Sequence, residues 1–510
     1  MYSLLLSFFV ASRILISQAS PLPFIFDRAV NDTTSLAPTP QNVQRQLGPL
    51  LAKGASLYFP GTPQFQDATS RWSTYKAPNI AVVVEPGSAK DVATAVSFAN
   101  KFGIPYLAMN KGHGSTTTLG AIKNGIEIHV RSLNSITINA DGKSASIGGG
   151  SYNQELINKL WSNGKASASG SCACVGLMGA GLGGGLGRYQ GFYGLISDNL
   201  IDVDIVLASG ETVTVSEKSN SDLWWGLRGA GHNFGIVTRF TMKIFDSPAQ
   251  NWYFAQFVFT QDKLEKMVGL VNTMMDNGNQ PKELMNYYLY AWNPAISTTE
   301  PVVIFTIYYI GTKEQAAKYT KPYFDLGPVF HNDSMVAYPE LASATGLGDE
   351  DFSCAHGFNR VQYPVGLLNY NVSNTRAVYN LFKEQTVAVP ALNLSTVVFE
   401  GYSLQGVKAV PAASTAYPHR EDNILASILA VYAPNPALDS VAIPWARKVR
   451  DLMHSGQPGR QLNAYVNYAF GDETQEMVYG YEPWRLERLR GLKKKYDPKG
   501  KFNFYEPIKV

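Results

Sequence analysis

The chain has 510 residues, 16% charged and 12% aromatic, with a formal net charge of +3 at neutral pH. That length is too great for one compact core and sets an expectation of two or three domains. The small net charge excludes a nucleic-acid footprint, and only three cysteines occur, which excludes a disulfide scaffold.

Residues 1–19 read as a secretory signal, with Leu4–Val10 as the apolar run and Ser17-Gln18-Ala19 as the cleavage site. No basic residue precedes the run, and Arg13 interrupts it, which argues against a membrane span of about 20 apolar residues. Sequons at Asn31, Asn332, Asn371 and Asn393 fit the same secretory route, so a secreted glycoprotein without stable membrane association is expected. In a secreted chain an odd cysteine count leaves one sulfur either buried and free or bonded to a third partner such as a cofactor. Nothing in the sequence fixes the oligomeric state.

After a polar segment (20–75), regular patterning starts. Ile80–Val84 reads as a buried strand. Ser88-Ala89-Lys90-Asp91 reads as a capping box opening a helix with Val92, Ala95, Val96 and Ala99 on one face, ended by Gly103 and Pro105. Leu107–Met109 and Ile126–Val130 are further strands. Asp141-Gly142 and Ser209-Gly210 mark hairpins between Ile136–Asn139 and Ser144–Ile147, and between Leu200–Leu207 and Thr212–Val215. Asn153–Trp161 and Asp222–Leu227 are predicted helices, and Gly235–Phe245 one strand. The hairpins make 76–247 a mixed α+β domain. From 248 to 454, strands Tyr253–Phe259 and Val302–Ile310 alternate with helices over Gln261–Met275 and after the cap Thr312, which predicts an antiparallel sheet backed by helices. A C-terminal segment, 455–510, contains Lys493-Lys494-Lys495, read as the solvated face of a helix.

Three glycine clusters stand out. Asn110–Thr117 follows a strand and offers consecutive N–H groups, Ser115 and the imidazole of His113, a combination suited to a pyrophosphate. Gly170–Gly187 holds eight glycines in eighteen residues, with Cys172 and Cys174 at its lip. Its Gly179, Gly181 and Gly184 spell G-x-G-x-x-G, but a Rossmann turn should link a first strand to a long helix, and Arg188–Gly194 is poor helix. Gly226–Thr238 is the third. One extended ligand across all three explains them better than three independent turns.

In this order the clusters resemble the FAD-binding domain of the vanillyl-alcohol oxidase/p-cresol methylhydroxylase superfamily, and more narrowly the berberine-bridge-enzyme-like oxidases. The tail Tyr465-Val466-Asn467-Tyr468, with Tyr479-Gly480, Arg485-Leu486 and Tyr496-Asp497-Pro498, is similar to their C-terminal signature, and Ala416–Arg420 to their F-P-H-R segment. The resemblance implies a two-lobed PCMH-type FAD domain over 76–247, a substrate domain over 248–454 and a returning tail over 455–510. It implies FAD held by Lys111, Gly112, Gly114, Ser115, Val175, Gly176, Gly179, Gly183, Gly184, Gly235, Ile236 and Val237. His113 falls where the family attaches the flavin, and Cys172 where many members add a second bond. Imidazole and thiolate are also the nucleophiles that the residues themselves supply. Cys174 is an extra thiol, either paired with Cys354 or itself the linker. No metal site is expected; His356 and His419 read as structural.

Oxidising a substrate also needs a proton acceptor. No glutamate stands where some plant members carry theirs, and Phe399–Gly406 occupies the place of the family's P-Y-G-G. Tyr468 and Tyr465 match the Y-x-N-Y tyrosines, with Tyr402 and Glu400 as further candidates. An ordinary tyrosine pKa of about 10 demands a neighbouring cation, for which Lys408 or Arg420 is the expectation. The implied function is a covalent-FAD oxidase that passes electrons from a small hydroxylated or aromatic substrate to O2, in secondary metabolism. A carbohydrate oxidase, an NAD-dependent dehydrogenase and a catalytically silent flavin-binding glycoprotein are the alternatives.

Overall fold

The computed structural model describes residues 39–510, so the leader and Asn31 lie outside the described residues. Two sheets form the first half. The smaller has the order Ser56–Tyr58, Ile80–Glu85, Gly125–His129, Tyr106–Met109, the last three mutually parallel. Its covering helix, Ala89–Phe102, begins where Ser88 caps the Asp91 N–H and ends at Gly103 in the left-handed conformation (φ 67°). That helix buries Val92, Ala95, Val96 and Ala99 against Val82, Val84 and Ile128, each buried side chain larger than alanine contributing about 1.5–3 kcal/mol.

The second sheet is antiparallel, with the order Ile136–Ile138, Ser144–Gly148, Gly235–Lys243, Leu200–Leu207, Thr212–Ser216, and both expected hairpins are present. The strand expected over Gly235–Phe245 stops at Lys243: Ile244 bonds back to the Lys143 carbonyl, and Phe245–Asp246 pairs instead with Lys165–Ala166. Asn153–Trp161 is helical as read.

The second half is built on seven antiparallel strands. Their order is Phe330–Val336, Trp252–Phe259, Val302–Ile310, Leu284–Ala291, Thr396–Gly401, Ile424–Tyr432, Asn359–Leu367. Side chains alternate across it. Tyr253, Ala255, Phe257, Tyr288, Tyr290, Phe305 and Phe399 join one core with residues of helices Leu264–Met275, Lys313–Asp325, Val372–Ala388 and Pro436–Ser455. Their alternates Trp252, Phe254, Tyr287 and Tyr308 cluster instead with Tyr189 and Ile157 of the first half. That second face bounds the candidate site.

The tail returns to the first half. The Thr117 N–H donates to the Phe470 carbonyl (2.7 Å), and Thr116 to Glu506 (2.5 Å). Lys493, expected on a solvated face, is instead 2% exposed and bonded to Asp497 (2.7 Å) and to the carbonyls of Asn233 and Phe502; Lys494 and Lys495 are the exposed members of that run. Among the described residues, no helix is long and apolar enough to cross a membrane.

Candidate active site

The loop after strand Tyr106–Met109 turns at Gly112, whose φ of 67° suits glycine and whose carbonyl accepts the Trp72 N–H. His113 lies flat on Trp72, ring centres 4.6 Å apart, and the Arg360 guanidinium lies 4.7 Å from the same indole. Burial, then the charges of Arg360, His356 and Lys111, lowers the His113 pKa to about 3, so the imidazole is neutral and keeps a lone pair. Lys111 packs on Tyr152, Ser115 is buried, and a Cβ on Gly114 would strike the Tyr505 ring at 2.8 Å.

The glycine-rich run brings its sulfurs to this imidazole. Cys174 is disulfide-bonded to Cys354, which resolves the alternative in which Cys174 is the linker. Its Sγ lies 3.1 Å from His113 Nε2. Cys172 is free, with its Sγ 3.6 and 3.7 Å from the two bonded sulfurs, and burial pushes its thiol up to about 11. These four ligand atoms lie within 4.8 Å of one another; with two of the sulfurs joined to each other, the group is not a thiolate cage. His356 bonds to Ser70, and His419 to the Val478 carbonyl.

Beyond the cysteines the run forms a five-residue helix, Leu177–Gly181, then turns through Gly184 and Gly185 with φ of 105° and 82°. Val175 accepts from the Asn153 N–H, and a Cβ on Gly176 would press on Asn110. Gly179 accepts from His232, while Gly183 and Gly184 make room for Asn467 and Tyr417. Gly235, Ile236 and Val237 pair with Leu207, Val206 and Ile205 in the antiparallel sheet, and in the third cluster Gly229 and Gly231 admit Tyr417 and Leu182.

On the sheet face, Glu400 is the centre of a polar network inside an otherwise apolar wall. Tyr468 donates to one of its oxygens (2.9 Å) and Tyr402 to the other (2.5 Å). Tyr287, directly opposite Glu400 in register, places its hydroxyl 2.8 Å from that of Tyr402 and 2.6 Å from that of Ser171, donating its one hydrogen to either. Burial raises the Glu400 pKa; the two phenols and the Arg188 charge oppose it. Burial and Glu400 hold Tyr468 and Tyr402 well above the ordinary tyrosine value. The expected helper cations are elsewhere: Arg420 is locked to Asp198 (2.7 Å) and Lys408 faces Glu421. Tyr465 is not in the network, since its hydroxyl accepts from Leu186 N–H and Asn467. Sequence reasoning ranked Glu400 behind the tyrosines. The available signal was an acid between Phe399 and Gly401 in a strand whose other residues are Thr, Val, Val and Phe.

Two family models match: one described as an FAD binding domain over residues 80–216, and one described as berberine and berberine like over 464–509. The FAD-linked oxidoreductase anuG of Penicillium roqueforti (strain FM164) is 43% identical over 471 residues, 92% of each chain. The chain belongs to the berberine-bridge-enzyme-like FAD-linked oxidoreductases. Physcomitrella patens BBE-like 1 shares the oxidoreductase's fold with a TM-score of 0.76 at 22% identity, over 92% of this chain and 99% of that one. The glucooligosaccharide oxidase of Acremonium strictum, described with a 6-S-cysteinyl, 8α-N1-histidyl FAD, gives 0.77 at 19%, over 91% and 99%.

An FAD-dependent oxidoreductase must accommodate an anionic pyrophosphate, and this one has the groups to do so. Among the described residues, no backbone N–H from Lys111 to Thr116 donates within the chain, although Ser115 and Thr116 are buried. Buried amides without acceptors are costly, and a run of six unpaired amides, the last two at buried residues and the first four at partly exposed ones, suits a polyanion. The dehydrogenase reading falls with the same findings. The FAD family match covers this region, and the glycine run enters a five-residue helix instead of the long one that a Rossmann turn requires.

Proposed function

We propose that the enzyme is an oxidase of a small hydroxylated aromatic substrate, with FAD tethered through His113 and, as a second bond, Cys172. The observation that carries this reading is the buried Glu400 carboxylate with two phenols on it, on the sheet face that meets the glycine run. When bound, FAD accepts the hydride and returns both electrons to O2 as H2O2.

The chain's residues divide the remaining work. Amides from Lys111 to Thr116 bind the pyrophosphate, with Gly112 and Gly114 allowing close approach. Val175, Gly176, Gly179, Gly183, Gly184, Gly235, Ile236 and Val237 line the rest of the cofactor's path. Neutral His113 presents its lone pair for attachment, and Cys172 is the one sulfur at the site not committed to a disulfide. Glu400 takes the proton of the substrate hydroxyl through Tyr468, which gives up its own proton as it receives the substrate's, so no free phenolate forms. Residues 76–247 and 455–510 then hold the cofactor and 248–454 the substrate.

The wall of Trp252, Tyr287, Tyr308, Tyr338 and Tyr402 is buried, which suits a flat substrate of secondary metabolism better than a hydrated oligosaccharide. Secretion rests on the leader, which lies outside the described residues, and on sequons of unequal access: Asn332 and Asn371 are exposed, while Asn393 has its side-chain oxygen buried. Acid precipitation tests the tether, since a colourless pellet overturns it. A screen of aromatic alcohols and phenols for peroxide tests the reaction; flavin reduction without peroxide overturns the oxidase assignment.

A further inference from the structure

Four arginines are fully buried among the described residues: Arg188, Arg360, Arg420 and Arg485. Three have acceptors. Arg420 holds Asp198, Arg485 holds Glu482 and two carbonyls, and Arg360 bonds to the carbonyls of Trp72, Phe352 and Ala355. Arg188, 1% exposed, has none on Nε, Nη1 or Nη2. The hydroxyls of Tyr308 and Tyr338 approach it without reaching hydrogen-bond geometry. Glu400 feels its charge but makes no ion pair with it; the carboxylate oxygens accept instead from Tyr402 and Tyr468.

A guanidinium stripped of water and given no acceptor is among the costliest groups a fold can bury. Five N–H donors in a planar fork therefore await an anion from outside the chain. The position says which anion. Arg188 directly follows the glycine run, lies 5.3 Å from the Tyr308 ring, and feels the phenols of Tyr287 and Tyr402, whose hydroxyls lead to Glu400. A carboxylate offers two coplanar oxygens that match the fork. A single phenolate oxygen leaves half the donors unmet, and a phosphate dianion exceeds the one positive charge.

We propose that Arg188 is the specificity residue of this site, binding the carboxylate of a small aromatic acid while the substrate's oxidisable hydroxyl meets the Tyr468–Glu400 pair. Tyr308 and Tyr338 turn their hydroxyls to the same carboxylate. The substrate is thereby anchored at one end and deprotonated at the other, and neutral analogues are discriminated against by the unmet guanidinium. This rests on the sheet face being the substrate site.

The test titrates the flavin-loaded enzyme with benzoate, salicylate and cinnamate and with their amides, following the flavin absorbance. The acids should bind at least tenfold tighter than the amides. Arg188→Met should abolish that preference at unchanged flavin content, and Arg188→Lys should keep part of it. Equal binding of acids and amides by the parent overturns the proposal, as does binding of neither, even if Arg188→Met does not fold. A folded Arg188→Met that retains the preference also overturns it, and one that loses its FAD assigns the guanidinium to the cofactor instead. Glu400→Gln separates the two readings: if it blocks flavin reduction while acids show no advantage, the oxidase reading stands and the acid does not.

Discussion

Tyr468 donates its phenolic hydrogen to Glu400 Oε1 at 2.9 Å, one of the hydrogen bonds that join the C-terminal segment to the seven-stranded sheet. The tyrosine comes from the family's tail motif and the carboxylate from the end of an interior strand 68 residues earlier. Only the folded chain makes them a pair. Burial disfavours the anion on either partner, and the proton stays on the phenol because the carboxylate is the stronger acid's conjugate.

Glu400→Gln keeps the shape and removes the proton acceptor. Flavin reduction by substrate should slow by roughly 10²–10⁴-fold, with flavin content unchanged. Tyr468→Phe should slow it too, and by less if Glu400 reaches the substrate through water. Stopped-flow absorbance of the flavin measures both. A Glu400→Gln rate within a few-fold of the parent removes Glu400 from the chemistry.

The raised Glu400 pKa fixes the sign of a pH effect. The acceptor works as the carboxylate, so reduction should be fast above its pKa and fall as pH drops through it. The inflection should lie above the ordinary glutamate value of about 4.3. Rates of flavin reduction from pH 4 to 9 measure this, and the acid limb should vanish in Glu400→Gln.

His113→Ala should raise the share of FAD that acid extracts, leaving only what Cys172 holds, whereas Cys172→Ala should keep all of it bound to the protein. The asymmetry follows from the two nucleophiles: a neutral imidazole is ready to attack, whereas a thiol whose pKa is near 11 is almost wholly protonated. Peptide mapping of the parent should find one flavin joining the His113 and Cys172 peptides, and flavin on the His113 peptide alone would remove the second bond. It should also place Cys174 with Cys354, and a Cys172–Cys174 disulfide is incompatible with this arrangement.

Lys493→Met should destabilise the protein by about 3–5 kcal/mol, because it leaves the Asp497 carboxylate buried without its cation. The loss should appear as a lower unfolding temperature. Lys494→Met, at an exposed position of the same helix, should change it little.

The legible parts of this fold were those set by local rules. The Ser88 cap, the Gly103 stop, both hairpins and the helix Asn153–Trp161 follow from neighbours within a few residues, and the antiparallel second sheet follows from its alternation. The position of Lys493 was misread because three consecutive lysines look solvated, while a helix turns adjacent residues about 100° apart. In the candidate site, glycine context and the family resemblance singled out His113 and Cys172 for the proposed attachment. Glu400 was ranked behind the tyrosines, and Arg188 and Trp72 were not singled out, because their meaning lies in partners from 68 to 288 residues away or, for Arg188, in having none.

Trp72 gives the molecule an order of events. Its indole supports His113, its N–H meets Gly112, its Nε1 reaches the Ser353 carbonyl, and its own carbonyl receives Arg360. The dry, electropositive surroundings that strip the proton from His113 therefore include residues drawn from both halves of the chain. An imidazole on a half-folded chain stays wet and titrates near 6.5, so it is largely protonated, and unreactive, in a mildly acidic compartment. On the proposed attachment at His113, the chemistry therefore waits for these long-range contacts, and a bonded cofactor would mark a chain whose two halves have met.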